Sequence, residues 1–444
     1  MRPPVDIVTS DTDLPEHADV VVIGGGIVGC ATAWTLARRG VSVVLCEKGR
    51  IGGEQSSRNW GFCRQQGRDP REIPLIIESL RIWRGIEKEI EAPVGFRQAG
   101  CLYLAETDDD LNGYDEWLEH AKPYQLDSRL VTPAEVEDLM PGSPLSWKGA
   151  LYTASDGRAE PAKASPAIAE AARRAGARVF TGCAVRGVET SGGRISAAVT
   201  EKGTIRTGTV VLAGGAWSRL FCGNNGLKLP QLKVLSSVMR TEPMPPITDN
   251  AVWGPGFAFR RRADGGYTIA HGSSIYVDIV PDSFRLLHRF LPVLRKEHKT
   301  LRIRLGRRFW TELTTPKRWK LDERSPFEDM RVLDPDPHGR TLDDAFAALK
   351  RACPAFADAT IADRWAGLID VTPDEVPVIS TVDDLPGLVV ATGFSGHGFG
   401  IGPGAGQLTA DLATGAAPLV DPTPFRFSRF AGGAGDAPAA PVPV

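Results

Sequence analysis

Apolar positions along the 444-residue chain change their period several times, and each change marks an element. Val20 to Ile23 is a short apolar run ending in glycines, the pattern of a buried strand. Ile27 to Arg39 has helical spacing, is closed by Gly40, and leads into a second apolar run, Val41 to Cys46, so the three together predict one βαβ unit. Glu72 to Ile90 places Ile73, Ile76, Ile77, Leu80, Trp83, Ile86 and Ile90 at helical spacing, and Cys101 to Ala105 reads as a strand. Thr132-Pro133-Ala134-Glu135 is a capping box with proline at the first helical position, which predicts a helix directly after it. Pro161 opens an alanine-rich helix that Gly176 ends, and four β-like runs follow, at 177–180, 184–189, 194–200 and 209–213.

Alternating strands and helices predict an α/β architecture. Residues 221–330 are richer in charge and tryptophan and lack the glycine turns of their flanks, which predicts a second domain inserted into a discontinuous first one. No internal repeat is visible. Residues 431–444 are Ala, Gly and Pro with little to bury, and are expected to be a disordered tail.

Composition narrows the picture. A hydrophobic content of 42% can fill a large core, and 52 Lys plus Arg against 54 Asp plus Glu give no global basis for binding nucleic acid. The cysteines, Cys30, Cys46, Cys63, Cys101, Cys183, Cys222 and Cys353, are scattered, without a CxxC pair or a His cluster at metal-ligand spacing, so reduced thiols and no metal are expected. The first residues have no signal-peptide pattern and no run reaches the length of a membrane span, which makes the cytoplasm the expected location.

Candidate chemistry begins at Gly24-Gly25-Gly26-Ile27-Val28-Gly29, a GxGxxG spacing between a strand and a helix. Gly24 permits the tight turn, Gly26 a close backbone approach to a pyrophosphate, and Gly29 close packing of helix on strand; the helix N-terminus presents free N–H groups to phosphates. Glu47 ends the second strand 23 residues after Gly24, where a carboxylate can accept from a ribose diol. The motif predicts a bound dinucleotide and leaves FAD and NAD(P) both open. An NAD(P)-dependent dehydrogenase is therefore one reading of these residues alone.

Three further segments bear on that choice. They are Gly52-Gly53-Glu54-Gln55-Ser56-Ser57-Arg58-Asn59-Trp60-Gly61, then Thr209 through Ala213-Gly214-Gly215-Ala216-Trp217-Ser218, and then Arg364-Trp365-Ala366-Gly367 through Thr372-Pro373-Asp374-Glu375 to Gly393-Phe394-Ser395-Gly396-His397-Gly398-Phe399. Together with the N-terminus they resemble the D-amino-acid oxidase, glycine oxidase and sarcosine oxidase superfamily of FAD enzymes. The resemblance implies a Rossmann-like FAD domain interleaved with a substrate domain on a mixed, mainly antiparallel sheet. The division expected is 1–90, 151–220 and 331–430 for the FAD domain, and 91–150 with 221–330 for the substrate domain. It implies cofactor contacts at Gly24, Gly26, Ile27, Val28, Gly29, Glu47, Lys48, Ser56, Ser57, Arg58, Asn59, Trp60, Gly61, Val185, Ala213, Gly214, Trp217, Gly367 and Ile369, and along Gly393 to Gly400. Gly393 to Gly406 is too glycine-rich for regular structure and reads as a loop leading into a helix at Gln407, its N–H groups facing an anion such as reduced flavin.

The activity implied is oxidation of a carbon–nitrogen bond by hydride transfer to flavin N5, giving an imine that water hydrolyses, with oxygen or a quinone as the final acceptor. An FAD-bearing subunit of a multi-component dehydrogenase is the alternative. An amino-acid substrate needs a cation for its carboxylate, and of Arg58, Arg64 and Arg68 the favoured residue is Arg64. Thr268 and His271, on the strand-like run from Tyr267, are the other catalytic candidates, with Tyr103, Tyr267 and Tyr276 as weaker pocket-lining ones. Two departures stand out: Gly400 and Ile369 occupy places where relatives carry a lysine and an arginine for the α-carboxylate. Gly367-Leu368-Ile369-Asp370 also lacks the cysteine that attaches flavin in sarcosine oxidases, so the FAD is expected to be non-covalent. Finally, residues 282–320 carry 12 basic against three acidic residues among Phe, Leu and Trp, a basic helical insertion that could rest on the inner face of an anionic membrane.

Overall fold

The computed structural model describes residues 3–273, 275–296 and 301–431; the expected tail apart from Ala431, and residues 297–300 of the basic insertion, lie outside them. Val20–Ile23 (β1) and Val43–Cys46 (β2) pair in parallel from Val20 opposite Val43 to Ile23 opposite Cys46, with Ile27–Arg38 (α1) as the crossover. Arg178–Phe180, Thr209–Leu212 and Leu388–Thr392 extend the parallel array, and antiparallel Val378–Thr381 closes one edge of the six-stranded sheet. Both faces of these strands are apolar because helices cover one and a second apolar layer covers the other. Ile73–Glu89 (α2) turns Ile73, Ile76, Leu80, Trp83 and Ile86 into the core as its spacing predicts, with Leu75 buried beside them and Ile77 only half-buried. The Thr132 capping box forms as expected, Thr132 accepting from Glu135 N at the head of Pro133–Leu139.

The second sheet is ten-stranded and mixed. Cys101–Ala105 and Gly149–Thr153 lie toward one end of it, where Ser128–Val131 is the edge strand, and Leu232–Thr241 (β3) runs through its other half. The basic insertion contributes Pro281–Arg285, Leu287–Lys296, strand Leu301–Arg304 and helix Arg307–Thr314 (α3). Ile361–Val371 (β4) pairs with β3 along its length, from Leu232 opposite Val371 to Arg240 opposite Asp363. Helix Gly339–Ala352 packs Leu342 and Leu349 against Phe259 and Tyr267, so this helix and β4 sit on the larger sheet and the chain rejoins the smaller one only at Val378.

One element differs from expectation. The glycine-rich C-terminal segment is helical from Gly398 to Thr414 (α4), and only residues 393–397 remain a loop. Its glycines are contact points: an added Cβ would stand 2.7 Å from Ile27 Cγ1 at Gly402, 2.4 Å from Ala31 Cβ at Gly406, and 2.9 Å from both Leu75 O and Ser79 Cβ at Gly404. Packing against α1 and α2 at this separation outweighs the poor helix propensity of glycine, about 1 kcal/mol per residue relative to alanine.

Candidate functional site

A cleft runs along the C-terminal ends of the parallel strands, from Val185 past the α1 N-terminus to the 393–399 segment. Its floor is the glycine turn. A Cβ at Gly24 would lie 2.4 Å from Ala213 O, and one at Gly29 1.9 Å from Gly24 O, so the turn and the helix packing both exclude side chains. Gly26 caps α1 without a side-chain hydrogen bond, and Ser56 Oγ accepts from Ile27 N at 2.9 Å. The helix start thus faces the cleft with its N–H groups and the positive end of its dipole.

Glu47 closes this end. Its carboxylate accepts from Gly25 N and from Gly49 N, both at 2.7 Å, and burial pushes its pKa up. Lys48 reaches Glu54 Oε1 at 2.8 Å, and its Nζ lies 4.4 Å from the Trp217 ring centroid. Trp217 Nε1 donates to Glu54 as well, fixing the indole on the cleft wall. Of the expected contacts, Gly24, Gly26, Ile27, Val28, Glu47, Lys48, Ser56, Asn59, Val185, Ala213, Gly214, Trp217, Ile369, Phe394, Gly396, Gly398 and Phe399 line the cleft.

The others stand behind it. Arg58 is fully buried and donates to Asp334 Oδ1 and Ala366 O, each at 2.7 Å, while its own carbonyl accepts from Trp365 Nε1. It fastens the 52–61 loop to β4. Gly367 meets that loop edge-on, a Cβ there standing 1.8 Å from Gln55 Oε1. Gly29, Ser57, Trp60, Gly61, Gly393, Ser395, His397 and Gly400 are likewise outside the lining. Gly61 abuts Arg260, and Gly393 abuts Thr372. Gly400 packs on the chain at Phe62 and Cys63, an added Cβ lying 3.0 Å from Cys63 Cα, and its carbonyl accepts from Ser79 Oγ and Trp83 Nε1.

Beside the α4 N-terminus lies a buried charged group. Glu72 Oε2 is 3.4 Å from both His397 Nδ1 and Arg68 Nη1, and Arg68 also donates to His397 O and Arg64 O. Burial opposes ionisation of Glu72, but His397 and Arg68 outweigh it and hold the carboxyl below its usual range; burial lowers the His397 pKa. Arg64, 5% exposed, follows in the same segment, its guanidinium carbon 5.5 Å from the Tyr103 ring centroid and 5.7 Å from that of Trp253. Trp60 meets Trp253 edge-on at 4.7 Å. Tyr103 Oη and Gln66 Nε2 in this neighbourhood are buried without hydrogen-bond partners. Asp156 beneath accepts from Gln65 N and Gln66 N, and burial lifts its pKa to about 7.

The structure separates the other two catalytic candidates from this group. Thr268 is buried and accepts from Arg262 Nη1 at 3.4 Å. His271 leaves the end of the same strand half-buried, accepts from Ser273 N, and has Asp344 and Arg302 as its charged neighbours; burial lowers its pKa. Neither lines the cleft. Cleft residues missed in the sequence include Cys46, Gln55, Phe221, Phe327, Leu368 and Ala391. Gln55 lies inside the 52–61 motif, whereas Phe221 and Phe327 carry no local signal.

The glycine floor, the α1 N-terminus beside it and the buried Glu47 carboxylate fit a flavin dinucleotide. Comparison with known proteins agrees. Residues 19–412 match the family profile described as FAD dependent oxidoreductase. Mitochondrial sarcosine dehydrogenase of Mus musculus is 27% identical over 94% of the chain, which spans only 42% of that protein's length. Sarcosine oxidase subunit beta of Arthrobacter is 26% identical, with 93% of this chain and 91% of that one covered. Among solved structures, L-amino acid deaminase from Proteus myxofaciens in complex with anthranilate superposes with a TM-score of 0.93 at 38% identity, over 97% of each chain.

Proposed function

The chain belongs to the FAD dependent oxidoreductase family, and from that premise we propose that it oxidises the carbon–nitrogen bond of an amino acid, giving an imine that water hydrolyses. FAD, when bound, supplies the two-electron acceptor for the hydride. The observation that carries the amino-acid reading is Arg64, a buried guanidinium in the segment that follows the 52–61 loop, walled by Tyr103 and Trp253. A substrate carboxylate would meet it in a setting where charge-assisted hydrogen bonds are strong. Trp60, Trp253 and Tyr103 would exclude water there and hold the substrate's apolar part. Glu47 would accept from the ribose of the cofactor, and the α1 start would face its pyrophosphate. The 38% identity to an L-amino acid deaminase favours a primary amine over an N-methyl one.

The cofactor is held without a covalent bond in this reading. Cys46 is the cysteine on the cleft wall, at the Glu47 end. Precipitating the protein with acid should release the yellow chromophore to the supernatant. Mixing the holoprotein anaerobically with D- and L-amino acids, N-methyl amino acids and cyclic imino acids tests the substrate class; absence of bleaching by every carboxylated amine would refute it. A second reading, an FAD-bearing subunit of a larger dehydrogenase, is favoured by the likeness to a subunit beta. Bleaching by an amino acid in the isolated chain would exclude it.

For the acceptor we favour a membrane quinone over oxygen. No helix among the described residues is long and apolar enough to cross a membrane. Phe284, Leu287, Leu291, Ile303, Leu305, Trp310 and Leu313 are nevertheless exposed, all on the basic insertion, while Leu286 and Phe290 pack inward. Exposed apolar side chains interspersed with arginines suit an anionic bilayer surface. Deleting 284–310 should abolish sedimentation with anionic vesicles and leave flavin reduction intact; an undeleted protein that ignores such vesicles refutes the contact.

A further inference from the structure

A second cavity adjoins the flavin cleft. A volume of about 2090 Å³ lies between the basic insertion, β3 and the 217–231 segment, and it meets the cleft at Ala216, Trp217 and Leu368. Eleven Lys and Arg side chains line it against seven Asp and Glu, a surplus of four positive charges in a chain whose formal net charge is -2. The surplus is therefore local to this cavity.

At its inner wall two cations share one carboxylate. Lys233 Nζ lies 3.3 Å from Glu312 Oε1, and Arg308 Nε donates to the same oxygen at 2.9 Å. Arg308 Nη1 donates to Lys233 O, and Nη2 is buried with no hydrogen-bond partner. Asp278 is occupied by Arg304 and Arg308, and Asp282 by Arg219 and Arg285. Glu312, Asp278 and Asp282 are thus paired, and across the whole lining the cations remain in excess. Burial lowers the Lys233 pKa, with Arg308 and Lys317 adding to it and Glu312 opposing.

We propose that this cavity binds a phosphate-bearing ligand, with Lys233 and Arg308 as its inner contacts and Arg219, Arg304 and Lys317 supplying the surrounding field. A surplus of this size favours a group of charge near −2 over a single carboxylate, and phosphate carries about −1.5 to −2 at neutral pH. The guanidinium fork of arginine matches phosphate oxygens. A rotation of the Arg308 side chain would bring Nη2, now without a partner, to such an oxygen. The phosphate can come from a lipid headgroup or from a free phosphorylated metabolite, since the cavity opens among the elements that expose Phe284 and Trp310.

The test is calorimetric titration of the holoprotein with inorganic phosphate at low ionic strength, where surface charge is least screened. Saturable binding is expected, weakened about ten-fold or more by Lys233→Met or Arg308→Gln. If either variant loses its flavin absorbance, Lys228→Glu combined with Lys317→Glu replaces it, because both side chains are exposed on the rim and should lower phosphate affinity without disturbing the wall. Binding to phosphatidylglycerol vesicles that inorganic phosphate displaces supports a headgroup ligand. Phosphate binding without such competition supports a free metabolite. No saturable binding to the wild type, or undiminished binding in every variant, overturns the site. None of these readouts depends on amine oxidation.

Discussion

Replacing Glu47 by glutamine isolates what holds the ribose end of the cleft. The native carboxylate accepts from two backbone N–H groups, Gly25 and Gly49, at 2.7 Å each. A carboxamide has one carbonyl and can serve only one of them, leaving an NH2 against the other donor. A hydrogen bond to a charged group contributes about 1.5–3 kcal/mol, and a buried donor left unpaired costs about 1–3 kcal/mol. Opposing this, burial raises the Glu47 pKa, which means the native charge is itself penalised and its removal recovers part of the loss. The apoprotein should therefore lose only about 1–2 kcal/mol of stability. FAD binding should suffer more, because the ribose diol also loses its charged acceptor: roughly ten- to a hundred-fold in Kd, from the same 1.5–3 kcal/mol. Titrating apoprotein with FAD and following the quenching of flavin fluorescence measures the affinity, and denaturant unfolding of the apoprotein measures the stability. An unchanged Kd in the variant would refute the assignment of Glu47 to the cofactor.

Arg64→Ala should lower kcat/KM for a carboxylated substrate by about 10²–10³, the cost of about 3–4 kcal/mol of lost charge-assisted binding, and leave a decarboxylated amine of the same side chain nearly unaffected; stopped-flow flavin bleaching with the two substrates decides it. Gly400→Lys, which restores the residue that sarcosine oxidases carry, should fail to create a carboxylate grip and instead destabilise the fold by about 1–3 kcal/mol or more, because the new side chain would start 3.0 Å from Cys63 Cα; the melting temperature reports it. Glu160, buried beside Arg260, has its pKa lowered to about 2, burial opposing and Arg260 prevailing. Its depressed value contributes stability that is present above the ordinary carboxylate pKa and is lost as pH falls through about 2; Glu160→Gln should remove roughly 3 kcal/mol at neutral pH and flatten unfolding curves across that acid window.

Local order in the chain was enough to specify the β1–α1–β2 unit. Strand, glycine turn, helix and Glu47 fall within 28 residues, and each contact joins neighbours whose spacing is fixed by backbone geometry. The capping box at Thr132 and the apolar stripe of α2 were legible for the same reason. The FAD preference needed segments near residues 55, 213 and 395 together, and was legible only through their resemblance to a family. Three things were decided by tertiary structure alone. Glycines at 400, 402, 404 and 406 suggest a loop by propensity, yet they form α4, because α1, α2 and the chain at Cys63 approach too closely for side chains. Thr268 and His271 share a strand-like run with no sign of where they point, and their partners turned out to be Arg262 and Ser273 rather than Arg64. Lys233, Asp278 and Arg308 are separated by tens of residues, so the charge surplus of the large cavity exists only once β3 and α3 have packed together. Periodicity reports what a segment buries; it carries no information on which distant segment it is buried against.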